Sequence, residues 1–257
     1  MFDVFTITTI AATFLLAGGI KGITGLGLPT VSLAVLTVTL DIPTAMALLL
    51  VPSFATNLWQ ALVGGNGRAV LARIWPFLLM ATITVWLGAM ALTRIELSIL
   101  SALLGGLLIA YSTVNLAKFR FRIPEQQEIW AGPLLGSVNG ILTGMTGSFV
   151  IPGVMYLQAI GLTRDALIQA MGMLFTVSTL ALAISLQGNS LLSIELGIIS
   201  VLALIPAIIG MVLGQKIRKK LSEQLFKKVF FVSLLMFGIY IVQHALNFSQ
   251  EWLSFAI

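Results

Sequence analysis

The sequence predicts an all-α polytopic membrane protein built from two inverted repeats, each a broken helical hairpin followed by three transmembrane helices. Three observations carry that expectation. The 257 residues are 58% hydrophobic and only 9% charged, with a mean hydropathy of +1.06, whereas a soluble domain carries roughly 25% charged residues. Apolar segments of about 20 residues, the length that crosses a hydrocarbon core, recur from end to end, so 1–257 reads as a single membrane domain without a soluble appendage. Two of the apolar regions are interrupted by glycine at corresponding places in the two halves.

The opening MFDVF has no basic region ahead of its apolar run and no small-residue cleavage signature, so the first segment is expected to stay in the mature protein. Turn and charge signals then divide the chain into apolar segments at about 5–27, 29–40, 44–63, 74–92, 96–117, 128–146, 148–160, 165–186, 194–214 and 228–247. The pairs within 5–40 and 128–160 stand apart. Each is broken by glycine and followed by an apolar piece of only about a dozen residues, too short to cross unaided at about 1.5 Å per residue.

These two pairs also resemble each other. GGIKG at 18–22 matches GSVNG at 136–140 as glycine, small, aliphatic, polar, glycine, and ITG is then echoed by ILTG. Downstream, LDIPTAMALLL and IGLTRDALIQA occupy the same relative place, a turn followed by a restarting helix. The expected repeats are 1–122 and 123–257.

Orientation follows from lysine and arginine. Arg68 and Arg73 fall in one loop, Lys118, Arg120 and Arg122 in a second, and Arg164 in a third. Lys216, Arg218, Lys219, Lys220, Lys227 and Lys228 fall in a fourth. All four loops share a side if each broken pair returns the chain to the side it entered. The other side keeps Arg94 with Asp3, Asp41, Glu96, Glu195 and Glu251. This predicts a multi-pass protein of the inner (plasma) membrane with both termini on the non-cytoplasmic side and with the second half entering from the opposite side to the first. Parity alone leaves two layouts, six spans with two re-entrant hairpins or ten spans.

Composition also narrows function. The basic residues sit in short loops rather than on one soluble face, so the net charge of +5 argues for topology and against nucleic acid. No cysteine and a single histidine, His244, make a metal site, a cofactor or Ser-His-Asp chemistry improbable, and no P-loop appears. The partners expected are a lipid bilayer and a small anionic substrate, with homo-oligomerisation left open.

Interrupted helices in inverted repeats are the pattern of a secondary transporter, whose broken helices bring freed backbone groups to the protein interior. Lys21 lies inside the first break, and an ionisable residue within a membrane segment marks a functional site or ion path by default. Its bland alternative is a lysine near the interface that snorkels. The expected substrate-binding set is Lys21, Gly22, Thr24 and Gly25 at the first break and Asn139, Gly140, Thr143, Gly144 and Ser148 at the second. Asn57, Gln60, Gln169 and Thr176 on the following spans complete it. Hydroxyls and amides donate to an oxyanion without a compensating charge, although the same side chains often serve as ties between membrane helices.

At the hairpins, GGIKGITGLGLP (18–29) and GSVNGILTGMTGSFVIPGVMYL (136–157) resemble the sulfite exporter TauE/SafE family of membrane permeases. The second copy is the closer, with Gly140, Gly144, Gly147 and Pro152 keeping the cadence of glycines, hydrophobic stretch and proline. The resemblance implies a non-enzymatic exporter of sulfite, organosulfonates or related organic anions. The residues add alternating access with binding at the two breaks; the competing reading is an anion channel whose pore is the same pair of hairpins.

Overall fold

The computed structural model describes residues 2–119, 121–218 and 223–255. Arg120, Lys219 and Lys220 of the expected basic loops lie outside them, as do the side chains of Glu251 and Trp252. Every regular element described is helical. Helix α1 (Val4–Thr24) is capped by Asp3, whose carboxylate accepts the Thr6 N–H at 2.9 Å; hydrogen bonding from Thr6 holds that carboxyl below its usual range. The chain breaks at Gly25 and Gly27, both left-handed (φ 79° and 103°), and restarts as α2 (Leu28–Thr39) with Pro29 in its first turn, where a proline costs no hydrogen bond.

Helix α3 (Ile42–Leu62) follows, then α4 (Gly67–Ile83), α5 (Val85–Ala89) with a tight turn over Met90–Thr93, and α6 (Leu97–Leu116). In the second half α7 (Glu125–Thr146) ends at left-handed Gly147 (φ 71°). An irregular turn, Val150–Val154, with Ile151 extended (φ −119°, ψ 130°), leads into α8 (Met155–Ala159). Helices α9 (Arg164–Gly188), α10 (Ile194–Arg218) and α11 (Glu223–Phe255) complete the chain.

Seven described helices are long and apolar enough to cross a membrane: α1, α3, the 67–93 stretch, α6, α9, α10 and α11. α2 and 150–159 are shorter apolar helices. The observed bounds fall close to the expected ones except at the basic ends. Arg68 and Arg73 lie inside α4 rather than in a loop, and Lys216 and Arg218 in the last turn of α10. Long basic side chains reach water from a helix end, so they need not stop the helix.

The residues cluster into two compact units, each drawn from both halves of the chain. Unit 1 is Met1–Met46, Arg94–Phe119 and Pro206–Ile257; unit 2 is Ala47–Thr93 and Arg120–Ile205. Lipid offers little apolar driving force between helices, so close approach across small residues must hold each unit together. In unit 1, Gly18 and Gly22 of α1 lie against the Ala207 and Met211 backbone of α10, while Gly210 and Gly214 of α10 lie against Leu15 and Gly19. Helices α6 and α11 run antiparallel and meet through Gly105 and Gly238, with Tyr111 edge-on to Phe231 at 5.4 Å. Gly106, the next residue along α6, faces open space instead.

Unit 2 uses a longer version of the same device. Gly132, Gly136, Gly140 and Gly144 recur every fourth residue and so form one stripe along α7. Gly136 rests on the Phe77 backbone, Gly140 on Ala81 and Thr84, and Gly144 on Val85 through Ala89. Beside Gly132, Tyr156 of α8 stacks on Phe77 with ring centroids 4.6 Å apart. Trp59, Trp75, Trp86 and Trp130 are all exposed, as expected of side chains that face lipid or its interface.

Candidate functional site

The second break is held by its own hydroxyls. Thr143 Oγ1 donates to Ser148 O at 3.0 Å; Thr146 Oγ1 donates to Leu142 O at 2.7 Å and accepts the Ser148 N–H at 3.2 Å. Both hydroxyls are therefore committed to shaping the turn. Beyond it Phe149 packs on Phe175 at 5.5 Å, and Gly153 lies so close to Asn139 and Leu174 that a side chain there would collide with both.

Asn139 is fully buried and reaches across the break to accept the Gly153 N–H on Oδ1 at 2.9 Å. Because a backbone N–H can only donate, the atom facing it must be the amide oxygen, which fixes the amide orientation. The Asn139 Nδ2 group is buried with no protein partner. Leaving a buried donor unsatisfied costs about 1–3 kcal/mol, so this position favours any acceptor brought to it.

The first break repeats the hydroxyl arrangement. Thr24 Oγ1 lies 2.9 Å from Ile20 O and 2.7 Å from Leu26 O, and accepts the Leu26 N–H at 3.0 Å. Gly25 N–H closes the helix on Lys21 O at 2.7 Å. Lys21 itself is only 5% exposed, so the side chain is inside unit 1 rather than snorkelling to its edge. Gly22, Gly140 and Gly144 lie within helices with Cα against a neighbouring backbone. The glycines at the breaks themselves are Gly25, Gly27 and Gly147.

Of the remaining expected residues, Asn57, Gln60 and Gln169 line the α3–α9 contact. Gln60 Nε2 donates to Ile168 O at 2.7 Å and Gln169 Nε2 to Ala61 O at 2.8 Å, a reciprocal pair of ties. Gln169 Oε1 also accepts the Asn66 N–H at 3.2 Å. Thr176 returns its hydroxyl to Gly172 O at 2.7 Å. Asn57 Nδ2 donates to Ser53 Oγ at 3.0 Å, and Ser53 in turn meets Thr179 Oγ1 at 3.2 Å. Asn57, Ser53 and Thr179 thus form a buried polar chain between the two helices.

Sequence reasoning missed Ser53, Thr179 and Gly153, and it read Arg73 as a loop charge. Ser53 had a signal, since it precedes Asn57 by one helical turn. Arg73 makes a bidentate pair with Glu128 (2.6 and 2.9 Å) and donates to Ile160 O at 2.9 Å. It thereby fastens the start of α7 and the end of α8 to α4. Among the described residues no group of three or more His, Cys, Asp or Glu could hold a metal ion.

The chemistry on offer is a buried lysine in unit 1 and an oriented, unspent amide donor in unit 2, each beside a glycine break. Against known proteins, residues 10–241 match the family model described as Sulfite exporter TauE/SafE. No curated protein and no solved structure matches the chain.

Proposed function

The chain belongs to the sulfite exporter TauE/SafE family, whose members are membrane permeases for sulfite-type anions rather than enzymes, and from that premise we propose that it exports a small anion by alternating access, with binding at the two helix breaks. The observation that carries the reading is Asn139, fully buried and presenting two unspent N–H donors at the second break. Lys21, buried beside the first break, supplies positive charge. Sulfite, an organosulfonate or a related carboxylate offers both acceptor oxygens and negative charge. Gln60 and Gln169 act chiefly as helix ties in this reading, and Thr24, Thr143 and Ser148 keep the breaks in shape.

We read 1–122 and 123–257 as inverted repeats, the architecture that alternating access uses. Several features support this. Thr24-Gly25-Leu26 and Thr146-Gly147-Ser148 have the same capping geometry. In the same register Gly18 and Gly22 sit on the Ala207 and Met211 backbones as Gly140 and Gly144 sit on those of Ala81 and Val85. The capping threonines align ITG with MTG at 145–147, one turn beyond the ILTG suggested by sequence. The Lys/Arg distribution assigns both termini to the non-cytoplasmic side of the inner membrane. A singly charged anion leaving a negative-inside cell would then gain about 2.3 kcal/mol per 100 mV.

The test is sulfite and sulfonate flux in proteoliposomes. Asn139→Asp keeps the oxygen that accepts from Gly153 but replaces the donor with negative charge, and should lower saturable flux about 100-fold, the effect of roughly 2.7 kcal/mol. Asn139→Ala, folded by its melting midpoint, should lose it as well. Undiminished flux in both would remove Asn139 from the site, and unsaturable conductance without trans-stimulation would replace the carrier with a channel.

A further inference from the structure

Unit 1 contains a second polar recess, remote in chemistry from an anion site. A cavity of about 320 Å³ is bounded by the end of α2 at Thr37 and Val38, the α2–α3 corner at Asp41, the start of α6 at Ser98 and Ser101, and the α11 residues Tyr240 and His244. Ligand pockets are of this size and mostly apolar, with a few placed polar groups. Here those groups are Asp41, His244, three hydroxyl side chains and the Tyr240 phenol. No lysine or arginine lines it, so it suits a positive group.

Asp41 accepts the Thr44 N–H at 2.7 Å and the Thr44 hydroxyl at 2.9 Å. A carboxylate has about four acceptor positions, so two remain for a ligand. Thr37 Oγ1 is buried with no protein partner. Tyr240 and His244 lie one helical turn apart with near-parallel rings, centroids 6.1 Å apart, and offer donors to a phosphate.

A second groove, of about 490 Å³, shares Val38 and Tyr240 with the recess. Its other lining residues are Ser233, Met236 and Phe237 on α11. Met236, Ile239 and Tyr240 are exposed on that helix, and in a membrane-spanning segment such an apolar face meets acyl chains. An apolar lateral groove thus ends, where three apolar helices end, in a cavity carrying one carboxylate and several hydroxyls.

We propose that this groove and cavity bind a membrane aminophospholipid, with the primary ammonium on Asp41, the phosphate near Tyr240 and His244, and an acyl chain along Val38, Met236 and Phe237. The site needs no substrate anion and stands apart from the transport reading. A primary ammonium can donate N–H bonds to Asp41; a choline headgroup has none to donate, and a glycerol headgroup lacks the positive charge.

The test is native mass spectrometry of the full chain released from micelles containing equal amounts of phosphatidylethanolamine, phosphatidylcholine and phosphatidylglycerol with identical acyl chains. Wild type should retain the ethanolamine lipid about tenfold over either competitor, the factor that one charge-assisted hydrogen bond supplies. Asp41→Asn should erase that preference while preserving the α3 cap, because asparagine caps as well as aspartate. Ser101→Trp, which fills the cavity, should reduce bound lipid while the melting midpoint in lipid-free detergent reports folding. Equal retention of the three lipids by wild type, or an ethanolamine preference that survives in Asp41→Asn, overturns the proposal.

Discussion

The two broken hairpins share a capping geometry but differ in what they bury. Hairpin α1–α2 turns through two left-handed glycines and carries a buried lysine. Hairpin α7–α8 turns through one, follows it with an extended Ile151, and has Thr143 where the caps place Lys21 in the first, its buried asparagine lying one turn earlier. The second hairpin is also clamped at its ends by Arg73. The difference teaches that one backbone device, a threonine-glycine break, can sit beside either a buried lysine or an oriented amide donor. In the anion reading proposed above the two would be complementary, since charge sets attraction and a fixed donor sets orientation.

The comparison breaks most visibly at the glycine stripes. Gly140→Leu should collide with Ala81 and Thr84 and cost about 3 kcal/mol or more, reducing the monodisperse protein recovered in detergent. Gly106→Leu, facing open space, should stay within about 0.5 kcal/mol of wild type. Equal behaviour of the two would remove packing as the reason for the glycine pattern.

The next largest effect separates charge from tie. Lys21→Met should reduce sulfite flux roughly 10- to 100-fold, the range of 1.4–2.7 kcal/mol, with the loss appearing mainly as weaker apparent affinity. Gln60→Met should lower the melting midpoint while leaving KM for the anion within about twofold, since a helix tie of this kind is worth roughly 0.6 kcal/mol. A Gln60 variant with the KM defect of Lys21→Met would return Gln60 to the binding set.

The clamp on the second hairpin comes third. Arg73→Gln removes a bidentate pair with a mostly buried Glu128 and a bond to Ile160 O, and should cost about 1–3 kcal/mol in a thermal denaturation series. Glu125, whose side chain is 85% exposed and 3.8 Å from Arg73, should cost little when changed to Gln. The smallest effects are Thr24→Val and Thr146→Val, about 0.5–1.5 kcal/mol each. Their near equality would support the repeat, and a neutral result in only one would mark that break as held by other contacts.

Much of the fold was legible because its signals are local. Apolar runs, the Gly25 and Gly147 interruptions and the short α2 and 150–159 pieces all follow from hydropathy and from the left-handed backbone that only glycine adopts freely. The site was legible only in part. Asn139 and Lys21 stood out as polar groups in apolar helices, yet nothing along the chain told Asn139, with an unspent donor, from Gln169, whose amide is spent on Ala61 and Asn66. Gly22, Gly140 and Gly144 read from sequence as part of the binding set, and only the structure shows the neighbouring backbones they pack against.

Sequence by itself determined that the chain is an all-α membrane protein with two glycine breaks, because crossing lipid imposes length, apolarity and internally satisfied backbone on each segment separately. Tertiary structure alone decided which polar groups are already paired, that Arg73 fastens α7 and α8 to α4, and that Asp41 and His244 share a recess. Those outcomes depend on contacts between segments far apart in the chain, and pairing across such distances leaves no periodicity for a sequence to display.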